Sequence, residues 1–385
     1  MPRTILWLTL GAFAVGTGTF SIAGLLPVIA ADLEVSVPAA GHLSMAFALA
    51  YAVASPVLAA ATAAMERRRT LVLAMAVYAL ASAGCVLVPG YAGLMGLRVL
   101  AALAAALFTP MAGACAVALV EPHHRGRALA LVIGGMTLST VLGAPMGTLI
   151  GEYLGWRATF LVVGALGLLS ALGALAFLPR LPGSREAGIG ERLALVTRPA
   201  VATLLVQTVV VFTGAFTLFS YLAPFVRGTL GFVGTGTALA LLLSGLGGLL
   251  GVSLGGWAAD RQDPRRFLIL SNAVLGCALA GISLCVECFT PGVAVPTVLA
   301  LLVVWGASGW CFPAVQQARL VALSPALAPV LLSLNASATY VGTSLGALFG
   351  GLVIGAGGLQ EIGLVAGGIV GIGAAMVWGM RVRVA

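Results

Sequence analysis

Gly256-Trp257-Ala258-Ala259-Asp260-Arg261-Gln262-Asp263-Pro264-Arg265-Arg266 breaks into a long apolar run, and Met65-Glu66-Arg67-Arg68-Arg69-Thr70 breaks into another far upstream. From Arg67 to Arg265 the offset is 198 positions (265 − 67). Where charge is rare, a charged loop that recurs half a chain later marks two similar halves, and in a membrane that points to a transporter. Charge is rare here: of 385 residues 61% are hydrophobic and 8% charged, against about 25% charged in a soluble domain. A mean hydropathy of +1.14 belongs to a chain whose solvent is lipid.

A bilayer core needs about 20 apolar residues per helix, so this length holds about twelve spans with short connections. We expect them near residues 4–31, 38–64, 71–88, 91–120, 128–150, 158–178, 200–226, 234–258, 267–286, 293–315, 328–355 and 362–380. Barrel strands are excluded because they are about ten residues long with every second residue polar. The first apolar run lacks a cleavage site before the next span, which makes it a membrane helix rather than a removed leader. The polar stretch from Arg180 to Arg192, rich in Pro, Gly and charge, divides the spans six and six. The expected organisation is an N-terminal bundle over 1–179, a cytoplasmic linker over 180–198 and a C-terminal bundle over 199–385. The expected fold is all-α, with twelve transmembrane helices in two pseudo-symmetric six-helix bundles.

The net charge of +8 comes from 19 basic residues, all arginine. With both termini on one side, sixteen arginines fall on that side, among them Arg3, Arg67, Arg125, Arg127, Arg180, Arg185, Arg198, Arg319, Arg381 and Arg383. Arg157 and Arg227 fall opposite, and Arg98 falls within a span. This asymmetry puts both termini in the cytoplasm, in what we expect to be a bacterial inner-membrane protein, and it replaces nucleic-acid binding as the meaning of the basic charge. Cys285 and Cys288, three apart beside Glu287, lack the second pair or histidines of a metal site. No nucleophile with base and no phosphate loop is present. We therefore expect neither enzyme activity, metal nor cofactor.

Further stretches carry a family likeness: Gly24 to Ser44 (GLLPVIAADLEVSVPAAGHLS), Gly143 to Phe160 (GAPMGTLIGEYLGWRATF), Phe219 to Phe225 (FSYLAPF) and Ser333 to Ala338 (SLNASA). In this order, with Arg98 and the loop around Asp260, they make the chain resemble the major facilitator superfamily. Within it they resemble the drug–proton and sugar efflux branch, including arabinose-efflux-like permeases and chloramphenicol exporters. The resemblance implies alternating access between two bundles, export of a small molecule and proton antiport.

It also implies roles for residues. The loop after the second span of each half latches the bundles, an acid meeting the positive N-terminal end of a helix in the other bundle. Gly256, Asp260, Arg261, Arg265 and Arg266 fit that loop. In the first copy Arg67, Arg68 and Arg69 remain, but Ala63 stands where the acid is expected. Those arginines equally serve as topogenic charge. Gly143, Pro145 and Gly147 fit the antiporter motif of the fifth span. Pro145 bends its helix, and the glycines, like Gly342, Gly346 and Gly350, suit close helix pairs at the bundle interface.

Arg98 either faces a cavity or snorkels to the interface, since a charge in lipid is costly; the resemblance ties it to proton coupling. No span carries an acid in its middle, and Thr19 stands near where relatives have a glutamate. His42, which titrates near neutral pH, is then the proton carrier or a structural histidine. A substrate site near the midplane draws on Thr17, Thr19, Phe20, Tyr51, Met136, Phe212, Phe216, Phe219, Asn335 and Tyr340. With one arginine and no carboxylate there, a neutral or anionic amphiphile suits it better than a cationic dye. The expected partners are that small molecule, protons and the lipid bilayer, with the chain acting as a monomer. A facilitator or uptake permease without obligatory proton coupling, and a non-transporting sensor, remain open alternatives.

Overall fold

Backbone polar groups in lipid can be satisfied within one span only by a helix, and this chain forms helices throughout. A computed structural model describes residues 4–183, 189–324 and 327–379, and all regular structure among them is helical. The first bundle holds α1 (Thr4–Phe20), α2 (Ile22–Asp32), α3 (Val37–Thr62), α4 (Arg67–Gly84), α5 (Tyr91–Ala118), α6 (Arg125–Leu138), α7 (Ala144–Leu154) and α8 (Trp156–Phe177). After α9 (Ile189–Val196), the second holds α10 (Pro199–Phe219), α11 (Leu222–Leu230), α12 (Thr235–Arg261), α13 (Pro264–Cys288), α14 (Pro291–Leu323), α15 (Ala328–Gly355) and α16 (Ile362–Gly379).

Ten helical stretches, one of them α6 with α7, are long and apolar enough to cross a bilayer, and α1 with α2, bent by 50°, makes an eleventh. The twelfth is α4, which opens on three arginines yet packs lengthwise on α5 and α8 as a span does.

Two expected spans are broken, and at matching places. α1 gives way to α2 at Ser21, where Gly24 N–H bonds the Ser21 carbonyl at 3.0 Å, one turn before Pro27. α10 gives way to α11 at Ser220, the carbonyl that Pro224 cannot bond because it has no N–H. The breaks lie 199 positions apart (220 − 21). A third irregularity precedes Pro145: residues Ser139–Gly143 form a π-turn between α6 and α7. Pro145 frees the Val141 carbonyl, and the wide turn absorbs the mismatch.

One expected boundary needs correction. The tenth span was expected to end near Val315, leaving Arg319 in a loop, but α14 runs to Leu323 and keeps Arg319 partly buried in its last turns. Gln316, Gln317, Ala318 and Leu320 are good helix formers, and nothing stops the helix before Ser324, which precedes Pro325.

The linker begins against the first bundle, Leu181 accepting a bond from Arg67 N–H at 2.9 Å. Arg3, Arg185, Arg381 and Arg383 of the expected charge pattern lie outside the described residues.

Candidate transport site

The bundles meet along two equivalent seams, α3 against α15, and α12 against the π-turn and α7. Each bundle thus lends its second span to the fifth span of the other. Gly245 on α12 permits this approach: a Cβ there would stand 2.5 Å from the Thr140 carbonyl oxygen and 2.8 Å from Val141 Cα. On the face away from the arginine loops the seam is shut. Ile22, Leu25, Leu26 and Ile29 share one apolar cluster with Leu222, Phe225 and Val226. Tyr221, wholly buried, donates to Ala347 O at 2.9 Å and presses on Gly41 of α3. Arg227 and Glu152 face each other across the same seam at 4.0 Å.

Beneath this seal lies an aromatic cavity with about 40 Å3 of free space. Phe20 and Thr140 come from the first bundle; Phe212, Phe216, Phe219, Ser244, Trp305 and Trp310 come from the second. Phe20 meets Phe219 and Trp310 edge-on at 6.0 and 6.2 Å, and Phe219 stacks on Trp305 at 5.6 Å. Among the described residues no charged side chain lines it. Trp305 Nε1 is buried with no hydrogen-bond partner among the described residues. An apolar space with an unmet indole donor in its wall accepts an amphiphile that brings an acceptor.

A second, smaller cavity adjoins it, sharing Phe216 and Phe219 and lined also by Thr19, Ser44, Phe47, Arg98, Ser220 and Thr343. Arg98 is 2% exposed, so it does not snorkel to the membrane interface. Its Nη1 donates to Gly18 O at 2.9 Å, and its guanidinium carbon lies 4.4 Å from the centre of the Phe47 ring and 5.7 Å from that of Phe160.

A family model described as Major Facilitator Superfamily matches residues 8–325. The chain belongs to that superfamily. The inner membrane transport protein YdhP of Escherichia coli strain K12 is 32% identical over 356 residues, covering 92% of this chain and 89% of its own. A chloramphenicol resistance protein of Streptomyces lividans is 36% identical over 279 residues, 71% of each chain. Among solved structures, an inward-facing, unoccupied bacterial homologue of the human lysosomal transporter Spinster shares the fold with a TM-score of 0.75 at 19% identity. The match covers 97% of this chain and 95% of that one. As a major facilitator protein the chain is a membrane transporter and not an enzyme.

Of the residues singled out in the sequence of this transporter, Phe20, Phe212, Phe216 and Phe219 line the aromatic cavity, and Thr19 and Arg98 line its neighbour. The others stand outside both. Tyr51 and Tyr340 stack at 3.7 Å across the α3–α15 seam. Met136 faces Gly16 of α1. Thr17 lies against Gly143, its hydroxyl buried without a partner among the described residues. Asn335 accepts from Thr208 at 2.8 Å in a buried polar cluster. His42, partly buried near the start of α3, lines neither cavity.

Trp305, Trp310, Thr140 and Ser244 were not expected at the site. Two tryptophans five apart in one span were a readable sign; the hydroxyls had none. Equally unforeseen was the cluster beside Asn335, where Gln316 Nε2 donates to Leu204 O at 2.7 Å and Arg319 Nη1 to Gln207 Oε1 at 2.9 Å.

The arginine loops act inside their own bundles. Arg68 donates to Leu175 O at the end of α8, and Arg265 donates to Val377 O and Trp378 O at the end of α16. Each meets the negative end of the last helix of its half, where carbonyls lack intrahelical donors. Glu66 and Asp263 cap the following helices, accepting from Arg68 N–H at 3.2 Å and Arg265 N–H at 2.9 Å. The equivalent pairs are therefore 197 apart (265 − 68 and 263 − 66), one less than the offset counted from Arg67. Arg266 lies 3.5 Å from Asp263, Arg69, Asp260 and Arg261 are exposed, and a Cβ at Gly256 would meet open space.

The motif glycines likewise close their own bundle and not the interface. Cβ atoms at Gly143, Gly147 and Gly151 would strike Thr17, Ser21 and Leu25, successive turns of α1 and α2; those at Gly342, Gly346 and Gly350 would strike α10 in the same way.

Proposed function

We propose that this transporter exports a small neutral or anionic amphiphile, drug- or sugar-like, by proton antiport and alternating access. The two bundles, 1–179 and 199–385, rock about the aromatic cavity as a monomer, with both termini and the arginine loops on the cytoplasmic side. The observation that carries this reading is the cavity itself: aromatic, uncharged, walled by both bundles, and offering the unmet Trp305 Nε1. Such a site desolvates an apolar body and rewards one acceptor, while a cation would find no carboxylate there. The likeness to a chloramphenicol resistance protein points the same way.

In this reading Arg98 and His42 are the proton-coupling machinery, and Asp260 with its neighbouring arginines latches the cytoplasmic side in the opposite conformation. The absence of an acid from either cavity's lining favours one second reading, a facilitator without obligatory proton coupling.

An efflux-deficient bacterial host expressing the protein should gain protection against phenicols, and Trp310→Ala should reduce it. A protonophore should abolish accumulation against a gradient; transport that only equilibrates the compound, with or without a protonophore, supports the facilitator instead. Protection against cationic dyes alone would overturn the substrate class.

A further inference from the structure

Arg98 is a permanent cation buried in the membrane-spanning part of the protein, with no acidic partner among the described residues. Its Nε and Nη2 have no hydrogen-bond partner among the described residues, and its one bond is to the Gly18 carbonyl. Phe47 and Phe160 offer ring faces, which soften the cost of burial without meeting the N–H groups. Beside it in the same cavity the Ser44 hydroxyl is also buried and unpartnered. Among the described residues no Asp or Glu lines this space. It leaves about 20 Å3 to the centre of a water-sized sphere, where a single water needs roughly 10–15 Å3. Arg98 and Ser44 therefore both border a hole the size of one small particle, and both carry buried polar atoms that no described residue meets.

We propose that this cavity binds one small monovalent anion, held by Arg98 Nε and Nη2 and by the Ser44 hydroxyl. The anion neutralises a charge that otherwise lies uncompensated in lipid surroundings, where the cost of an unpaired ion exceeds that of a paired one. The site is also a clasp. Ser44 and Arg98 belong to the first bundle, whereas Phe216, Ser220 and Thr343, which complete the walls, belong to the second. An occupant bridges the bundles and favours the arrangement in which the seam is closed around it. Chloride has the required charge and size, and the carboxylate of a transported molecule has the same chemistry. The site stands on its own geometry and is independent of the export reading.

The test is thermal unfolding of the purified full-length protein in lipid nanodiscs, in sulfate buffer titrated at constant ionic strength with chloride and, separately, with benzoate. Binding to the folded state raises the midpoint saturably. We expect the rise to disappear in Arg98→Gln, and its half-maximal concentration to increase about tenfold in Ser44→Ala, which loses one hydrogen bond to an ion. Should Arg98→Gln fail to fold, Ser44→Ala alone decides. A response to chloride with this pattern identifies an inorganic anion site; a response to benzoate alone identifies the acid group of a transported compound. No saturable rise with either salt, or a rise unchanged in Ser44→Ala, overturns the proposal.

Discussion

Gly245→Ala tests whether the α12 seam controls the balance between conformations. The new methyl carbon would stand 2.5 Å from the Thr140 carbonyl oxygen and 2.8 Å from the Thr140 carbonyl carbon and Val141 Cα. These are backbone atoms of the other bundle, so no side-chain rotation relieves the collision. Overpacking of this kind costs about 1–3 kcal/mol. Alanine also favours the helix by about 1 kcal/mol over glycine, but that gain is present whether the seam is shut or parted and cancels from the balance. The shut arrangement should therefore lose roughly five- to 150-fold in population relative to the parted one. Two variants separate this effect from others. At Gly256 a Cβ meets nothing, so Gly256→Ala should leave the balance unchanged. At Gly251 it meets the Ala307 carbonyl within the second bundle, so Gly251→Ala should lower thermal stability and leave the balance alone. Spin labels at exposed Tyr153 and Val233, one on each bundle at the sealed face, with Cys277 and Cys288 replaced, report the balance as a distance distribution. Identical distributions for Gly245→Ala and Gly256→Ala would refute the reasoning.

Arg265→Ala removes the donor to the α16 carbonyls and should cost about 0.3–2 kcal/mol, read as a lower unfolding midpoint, whereas exposed Asp260→Ala should leave the midpoint unchanged and act only on transport rate. Thr208→Val leaves the Asn335 amide oxygen buried without its donor and should destabilise by about 1–3 kcal/mol, measured in the same melt. Glu152→Gln breaks a partly exposed pair with Arg227 and should change stability by no more than about 1 kcal/mol, an effect that high salt should erase in the parent protein. Trp305→Phe keeps an aromatic ring but removes the indole donor with its pyrrole ring, so it should raise the concentration of a phenicol needed for half-maximal transport well beyond what its lowering of the unfolding midpoint, expected from the buried volume it gives up, accounts for.

Solvent, helix content and duplication were all legible from composition and from the recurrence of charged loops. In lipid a span must be helical whatever its neighbours are, so run length alone predicts it. The break before Pro145 was legible for the same local reason. Arg98 also announced itself, because a charge in an apolar span must have a use or a cost.

What the arginine loops do was not legible. Arg68 and Arg265 find their carbonyls more than a hundred residues away, and no local rule says whether a loop arginine will meet its own bundle or the other. Gly143 and Gly147 announced a close approach but not to what; only packing decided that they clasp α1 and α2, while Gly245, which no motif marks, carries the approach between bundles. The cavity residues followed the same division. The aromatics on α10 stood out as a helical stripe, but Thr140 and Ser244 joined them only because two helices from opposite halves cross there. Backbone hydrogen bonding and solvent are properties of a segment and can be read along the chain. Which side chains share a cavity depends on how rigid helices cross, and that is set by contacts between residues far apart in sequence.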